Sequence, residues 1–252
     1  YVVTGNTGGT ARLWDPRTCH SIKVFELEEP ASAMAVTPDA KRLVTGGYDR
    51  VTELGVARVW DLKTGEPLQV FQGHQKLVRA VAVTPDGRWL VTGSCDKTAR
   101  LWDIDTGLTL KVFREHTGPV EAIAVTRDGR WLVTGSDDGT ARLWDLTTWG
   151  LSGVAPRARK VFKGHKGWIR AVAVTPDGRC VVTGSGDNTA KLWDLKTGKC
   201  LKVFEGHTGA IKSVAVIPDE NGSKLVTASS DHTVRFWDLE TGKLLVTMYN
   251  LK

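Results

Sequence analysis

The sequence predicts an all-β chain built from repeats of a short four-stranded antiparallel sheet. Three observations carry that expectation. A tripeptide ending in Trp-Asp occurs six times, with its indoles at Trp14, Trp60, Trp102, Trp144, Trp193 and Trp237 and spacings of 46, 42, 42, 49 and 44 residues. A period of that size marks a stacked or radial repeat. Segments 83–94 and 125–136 are near-identical copies, differing only in Pro85 against Arg127. No apolar stripe recurs at helical spacing, whereas runs rich in Val, Thr, Leu and Trp alternate with turn residues.

Within one repeat the elements follow in order. Residues 78–84 read as the first strand, and Pro85-Asp86-Gly87 ends it, because proline presets φ and glycine accepts a positive φ. Residues 89–94 form the second strand, followed by a tight turn through Cys95-Asp96-Lys97. Residues 98–102 form the third, Thr106-Gly107 turns the chain, and 108–113 form the fourth. One such sheet buries too little alone, so successive sheets must pack face to face. Arranged radially they form a β-propeller, which leaves only short edges. The repeats fall near 1–27, 28–73, 74–115, 116–164, 165–206 and 207–252, read as one domain. Residues 1–5 match a second strand and 244–252 a fourth, so the first blade lacks its innermost strand and 23 strands are expected. That pattern reads as a piece of a longer polypeptide, from an intact ring of six or seven blades.

With 252 residues, 41% hydrophobic and 25% charged, the chain can bury a core without staples. No run of 18 apolar residues offers a membrane-spanning helix. Cys19, Cys95, Cys180 and Cys200 have no CxxC spacing, so neither a zinc cage nor a disulfide framework is indicated; free thiols fit a reducing, cytoplasmic setting. The net charge of +6 permits an acidic partner without requiring one.

Over its whole length the chain resembles the WD40 family, through the recurring Gly-His dipeptides, the turn aspartates and the Trp-Asp endings. The resemblance implies a hydrogen-bonded tetrad in each complete blade. Its members are His74, Thr92, Asp96 and Trp102 in the third blade, and His116, Thr134, Asp138 and Trp144 in the fourth. In the fifth they are His165, Thr183, Asp187 and Trp193, and in the sixth His207, Thr227, Asp231 and Trp237. Indole, hydroxyl, imidazole and carboxylate can satisfy one another when buried, so the set reads as structural. Ser/Thr, His and Asp together invite comparison with a hydrolase triad, but a catalytic site is singular and this set recurs four times. No P-loop, GxSxG, HxxxH or HxH occurs. The reading is a non-enzyme with no cofactor and no metal.

Two blades depart from the pattern. The first has Thr4 and Trp14 but Gly8 in place of the aspartate. The second has no histidine and carries about five extra residues between Asp49 and Trp60, read as a lengthened loop. Both are expected to be the softest.

The resemblance also places a partner-binding face at the loops leading into the first strand and leaving the second. Five positions after each tetrad histidine stand Arg79, Glu121, Arg170 and Lys212, with Ser32 in the second blade. Three positions after it stand Leu77, Pro119, Trp168 and Ala210. Before each turn aspartate stand Tyr48, Cys95, Asp137, Gly186 and Ser230. Trp168 and the arginines are favoured interface residues and suggest an acidic peptide or protein segment; the alternative is that Trp168 packs on its own loop. Arg12, Arg58, Arg100, Arg142, Lys191 and Arg235 share one position two before each repeat's tryptophan, so six cations recur by construction. Trp89 and Trp131 open their strands at equivalent places and read as packing residues. Arg157, Arg159 and Lys160 end the longest insertion, whose Trp149, Gly150, Gly153 and Pro156 read as an exposed loop. A basic stripe interleaved with aromatics is missing, which disfavours nucleic acid. The expected function is a non-catalytic protein- or peptide-binding scaffold or sensor in a larger multidomain signalling protein; an enzyme-associated or nucleic-acid-binding propeller is the alternative.

Overall fold

The structure is a computed structural model and describes residues 2–6, 8–27, 29–148, 156–219 and 222–249. These contain strands and turns and no helix, so none is long and apolar enough to cross a membrane. The chain divides into two compact units, Tyr1–Arg114 and Glu115–Lys252, with three antiparallel sheets in each.

The first unit opens with a three-stranded sheet, β1 (Val2–Gly5), β2 (Thr10–Trp14) and β3 (Ser21–Glu26). The second sheet is β4 (Ala33–Val36), β5 (Arg42–Asp49), β6 (Leu54–Asp61) and β7 (Pro67–His74). The third is β8 (Val78–Val83), β9 (Trp89–Ser94), β10 (Ala99–Asp103) and β11 (Thr109–Phe113). In the second unit the fourth sheet is β12 (Val120–Val125), β13 (Trp131–Ser136), β14 (Ala141–Asp145) and β15 (Lys160–Phe162). The fifth is β16 (Ile169–Val174), β17 (Cys180–Ser185), β18 (Ala190–Asp194) and β19 (Cys200–Phe204). The sixth is β20 (Ile211–Asp219), β21 (Gly222–Ser229), β22 (Val234–Asp238) and β23 (Leu244–Met248).

Inside each unit one packing rule repeats. Alternation along the strands gives every sheet two unlike faces. One carries an indole, a second-strand Leu or Val and an aliphatic side chain just after the Trp-Asp pair; the other carries small residues, a Leu or Val and a phenylalanine. The two kinds interlock. Trp102, Leu90 and Ile104 of the third sheet pack on Val44, Ala57, Val59 and Phe71 of the second. Trp60, Leu43 and Leu62 meet Ala11, Leu13 and Phe25 of the first. In the second unit, Trp193 and Leu195 meet Val133, Ala141, Leu143 and Phe162, and Trp237 and Leu239 meet Ala190, Leu192 and Phe204. The first strands of neighbouring sheets lie side by side, β4 against β8 and β12 against β16 against β20.

The Asp of each Trp-Asp pair has its own work. Its carboxylate caps the following turn, as when Asp61 Oδ1 accepts the N–H groups of Lys63 and Thr64 at 2.7 Å each. Asp194 and Asp238 do the same for Thr197 and Thr241 at 2.6 Å.

One expectation needs correction. The extra residues of the second blade do not form a loop: β5 and β6 run eight residues each and stay paired through Gly47↔Val56, Tyr48↔Gly55 and Asp49↔Leu54. Asp49 Oδ1 then closes the turn by accepting the N–H groups of Val51 and Thr52. Strand pairing satisfies the backbone of an insertion that a loop would leave to solvent. Of the long insertion in the fourth blade, Trp149, Gly150 and Gly153 lie outside the described residues; Pro156 is half-buried and Arg157 and Arg159 are exposed.

Candidate functional site

The structure brings the four members of each tetrad into one hydrogen-bonded chain. In the third sheet Trp102 Nε1 donates to Thr92 Oγ1 at 2.8 Å, which lies 2.7 Å from His74 Nε2, while His74 Nδ1 lies 2.8 Å from Asp96 Oδ2. In the fourth, Trp144, Thr134, His116 and Asp138 are joined at 2.9, 2.7 and 2.8 Å. Trp193, Thr183, His165 and Asp187 follow at 2.8 Å throughout, and Trp237, Thr227, His207 and Asp231 at 2.9, 2.7 and 2.7 Å. The direction of each chain follows from the groups. Indole N–H can only donate and an ionised carboxylate can only accept, so the imidazole carries its proton on Nδ1 and the hydroxyl donates to Nε2.

Electrostatics support that order. Burial pushes the Asp96 carboxyl up, but the His74 hydrogen bond and charge and the Thr98 hydroxyl outweigh it and hold it well below the usual range. Burial likewise opposes ionisation of Asp187, yet Thr189, the Lys166 N–H and His165 bring it down to about 2. Asp138 and Asp231 are lowered in the same way, by His116 with Thr140 and by Thr233 with His207. Desolvation lowers the His74 and His165 imidazoles, so both are neutral near pH 7. Thr92, Thr134, Thr183 and Thr227 are fully buried between indole and imidazole, which gives no substrate a line of attack.

The partial blades improvise. In the first, Trp14 Nε1 donates to Thr4 Oγ1 at 2.7 Å, and the side-chain carbonyl of Asn6 accepts the N–H groups of Gly8 and Thr10. In the second, Trp60 Nε1 donates to Thr45 at 2.9 Å, with no imidazole beyond it.

The residues expected at a partner surface share a feature that residue types did not reveal. Arg79, Glu121, Arg170 and Lys212 are each the extra residue of a β-bulge at the start of the first strand, between Val78 and Ala80, Val120 and Ala122, Ile169 and Ala171, and Ile211 and Ser213. A bulge re-aims one side chain out of the alternation. Ser32, at the same register, is exposed and donates to the Val78 carbonyl. The two expected flanks also meet. Cys95 N–H donates to the Leu77 carbonyl, Asp137 to Pro119, Gly186 to Trp168 and Ser230 to Ala210, all at 2.9 Å. Tyr48 is instead drawn into the extended hairpin of the second sheet, paired with Gly55.

In the second unit these positions form a constellation around Trp168. Its indole is 43% exposed and lies against Gly186, where an added Cβ would come within 2.4 Å of the ring. The Arg170 guanidinium sits 5.4 Å from the ring centroid, a cation–π arrangement, and reaches Glu121 at 3.9 Å. Glu121 is only 7% exposed in its side chain, so it braces Arg170 from below and does not face solvent. Asp137 Oδ1 and Arg170 Nε are buried atoms with no hydrogen-bond partner among the described residues. Lys212 and Ser230 are exposed at the equivalent register of the sixth sheet. Among the described residues no cluster of three or more His, Cys, Asp or Glu converges as a metal site.

The recurring cation two before each tryptophan has a defined seat, which the sequence pattern alone did not show. Arg100 and Arg235 lie over Gly73 and Gly206, so close that an added Cβ would stand 2.7 and 2.4 Å from their guanidinium nitrogens. Glu115 replaces that glycine in the fourth repeat and pairs with Arg142 at 2.9 Å; Glu29 pairs with Arg58 in the second.

The WD domain, G-beta repeat family matches residues 65–103, 107–145, 157–194 and 198–238, more than half of the chain. Among similar proteins, a guanine nucleotide-binding protein subunit beta of Arabidopsis thaliana is 34% identical over 76 residues, 29% of this chain and 19% of the relative. The pre-mRNA-splicing factor cwf17 of Schizosaccharomyces pombe is 31% identical over 69 residues, 27% and 19% of the two chains. The U5 small nuclear ribonucleoprotein 40 kDa protein of Dictyostelium discoideum is 32% identical over 75 residues, 29% and 20%. The matched stretch thus spans about a fifth of each relative. Repeated four-stranded sheets, interlocking unlike faces and a Trp–Thr–His–Asp chain in four of them accord with that match: the chain belongs to the WD40 repeat family, of the all-β propeller class.

Proposed function

We propose that this chain is a non-catalytic scaffold that binds a protein or peptide through the surface around Trp168, within a larger signalling assembly. The observation that carries the reading is the half-exposed indole, propped between Gly186 and the Arg170 guanidinium. Exposed tryptophan and arginine side chains are the usual anchors of interfaces. Two relatives are named as parts of assemblies, a G-protein β subunit and a small nuclear ribonucleoprotein component, which agrees with a docking role. Arg170 and Lys212 favour an acidic contact segment on the partner.

The test is affinity capture with the purified chain, comparing wild type with Trp168→Ala and Arg170→Glu and with Arg157→Glu, an exposed charge in the loop before β15, as a control. The expected outcome is a partner retained by the control and depleted at least tenfold by both Trp168→Ala and Arg170→Glu. An unchanged set of captured proteins would remove this surface from consideration.

A further inference from the structure

A groove between the fourth and fifth sheets lies at the other end of β16 and β17 from Trp168, about 20 Å away at the usual rise of a six-residue strand. It encloses about 540 Å³, within the range of ligand-holding clefts. Trp131, Leu143 and Leu195 give it an apolar lining, and Trp131 and Leu195 are continuous with the core between the two sheets. Among the described residues, four cations stand around this lining, Arg159, Lys160, Arg179 and Lys196, against a single carboxylate, Asp194. One oxygen of that carboxylate is already engaged, accepting the backbone N–H and hydroxyl of Thr197 at 2.6 and 2.7 Å. Asp145 and Asp177 lie close enough to feel Arg159 and Arg179, but neither lines the groove. Among the described residues, none of the four cations makes an ion pair within 4.0 Å. The site therefore combines an apolar lining with a surplus of positive charge on its rim.

We propose that this groove binds an acidic peptide segment that inserts one bulky apolar side chain against Trp131, Leu143 and Leu195 while its carboxylates meet Arg159, Lys160, Arg179 and Lys196. Charge complementarity selects the sign of the ligand, and the lining selects its body. The aromatic geometry separates a peptide from a nucleic acid. Single strands bind by stacking bases on open aromatic faces. Here one face of Trp131 is covered by the Arg130 guanidinium, 4.7 Å from the ring centroid, and Arg130 is in turn held 3.6 Å from Asp145. With one indole face taken, the apolar surface is shared between Trp131 and two leucines, which suits an aliphatic or phenyl side chain. This site is independent of the Trp168 surface and shares no residue with it.

The test is fluorescence anisotropy with a labelled hexapeptide of acidic residues around one phenylalanine, titrated with the intact chain at low and physiological salt. Arg179→Glu combined with Lys196→Glu reverses two exposed charges and leaves the core untouched, which circular dichroism verifies. The expected result is saturable binding, weakened at least tenfold by the double variant. It weakens equally when serine replaces the peptide's phenylalanine, and it is unaffected by Arg170→Glu at the other end of the strands. The proposal is overturned by absence of saturable binding or by full affinity in the double variant. Equal affinity for the serine peptide would reduce the site to a charge patch, and loss on Arg170→Glu would move the binding to Trp168. An oligothymidylate competing as well as the peptide would assign the groove to nucleic acid.

Discussion

Thr183 Oγ1 sits between an indole that can only donate and an imidazole nitrogen that, in this tautomer, can only accept. Replacing it by valine keeps the shape and leaves both neighbours unpaired in a dry interior. Each such group costs about 1–3 kcal/mol, so Thr183→Val is expected to destabilise its unit by about 2–6 kcal/mol in urea unfolding. Thr45→Val breaks one such bond, because the second sheet has no imidazole, and is expected to cost about 1–2 kcal/mol. Equal costs would mean the histidines contribute nothing through the hydroxyl. A second residue-scale expectation concerns Gly186, whose backbone φ lies outside the left-handed region. Alanine fits the chain there but collides with Trp168, so Gly186→Ala should move the indole, read as a shift in tryptophan fluorescence, at little cost in stability. The tetrads were legible through the resemblance to the WD40 family, whose motif residues recur in four of these repeats. Asn6 standing in for a turn aspartate, or Glu115 meeting Arg142, was not legible, because each is a single departure whose meaning lies in what it touches.

At the scale of the element, turn chemistry explains where the strands stop and where a side chain stands in a glycine's place. In four sheets the turn after the Trp-Asp pair uses a glycine at positive φ, Gly65, Gly107, Gly198 and Gly242 at 74–82°. In the first sheet Cys19 occupies that place at φ 56°, its N–H donating to the Asp15 carbonyl as Gly65 donates to Asp61. Likewise Ala40 takes φ 54° where Gly87, Gly129 and Gly178 serve the other sheets. A side chain in the left-handed region costs roughly 1–2 kcal/mol. Cys19→Gly and Ala40→Gly are therefore expected to stabilise, each by about 1 kcal/mol, with the gain read from chemical denaturation; a loss would show that the side chains compensate in some other way. Both of these turns fall in the two blades without a complete tetrad, which are expected to show the fastest amide exchange. Strand order and the Pro-Asp-Gly and Thr-Gly turns could be read directly, since β periodicity and turn residues are local signals. The β5–β6 extension was missed because a short insertion that contains charged residues and a glycine reads the same as a loop until its partner strand is known. The bulges were missed for a similar reason: a register shift is a property of two strands.

For the whole molecule, the buried histidine–aspartate chains make acid the natural denaturant. Folding lowers the His74 and His165 imidazoles, so protonation favours the unfolded chain and stability begins to fall below about pH 6.5. The four tetrad aspartates are lowered as well; their contribution is present above the ordinary carboxylate range and is lost as pH falls from about 4 toward about 2, the value reached by Asp187. Thermal melts should hold level above pH 7, slope gently down to pH 4 and collapse below it, and a melting temperature that rose on acidification would contradict the assigned tautomers. Packing makes a complementary prediction about which apolar residues matter. The sixth sheet uses its indole face against the fifth, but its other face carries Met248 at 48% exposure and Val246 at 52%. Met248 pairs with Val234 as Phe204 pairs with Ala190, so the two occupy one position in successive sheets, yet Phe204 is 1% exposed. Phe204→Ala is expected to cost about 3–5 kcal/mol, the range for truncating a buried phenylalanine, whereas Met248→Ala should fall within about 0.5 kcal/mol of wild type. Exposed apolar patches promote association. Met248→Lys should accordingly leave the melting temperature in place while lowering any concentration-dependent self-association seen in sedimentation velocity. A melting temperature that fell with Met248→Lys as it does with Phe204→Ala would show that this face is covered in solution.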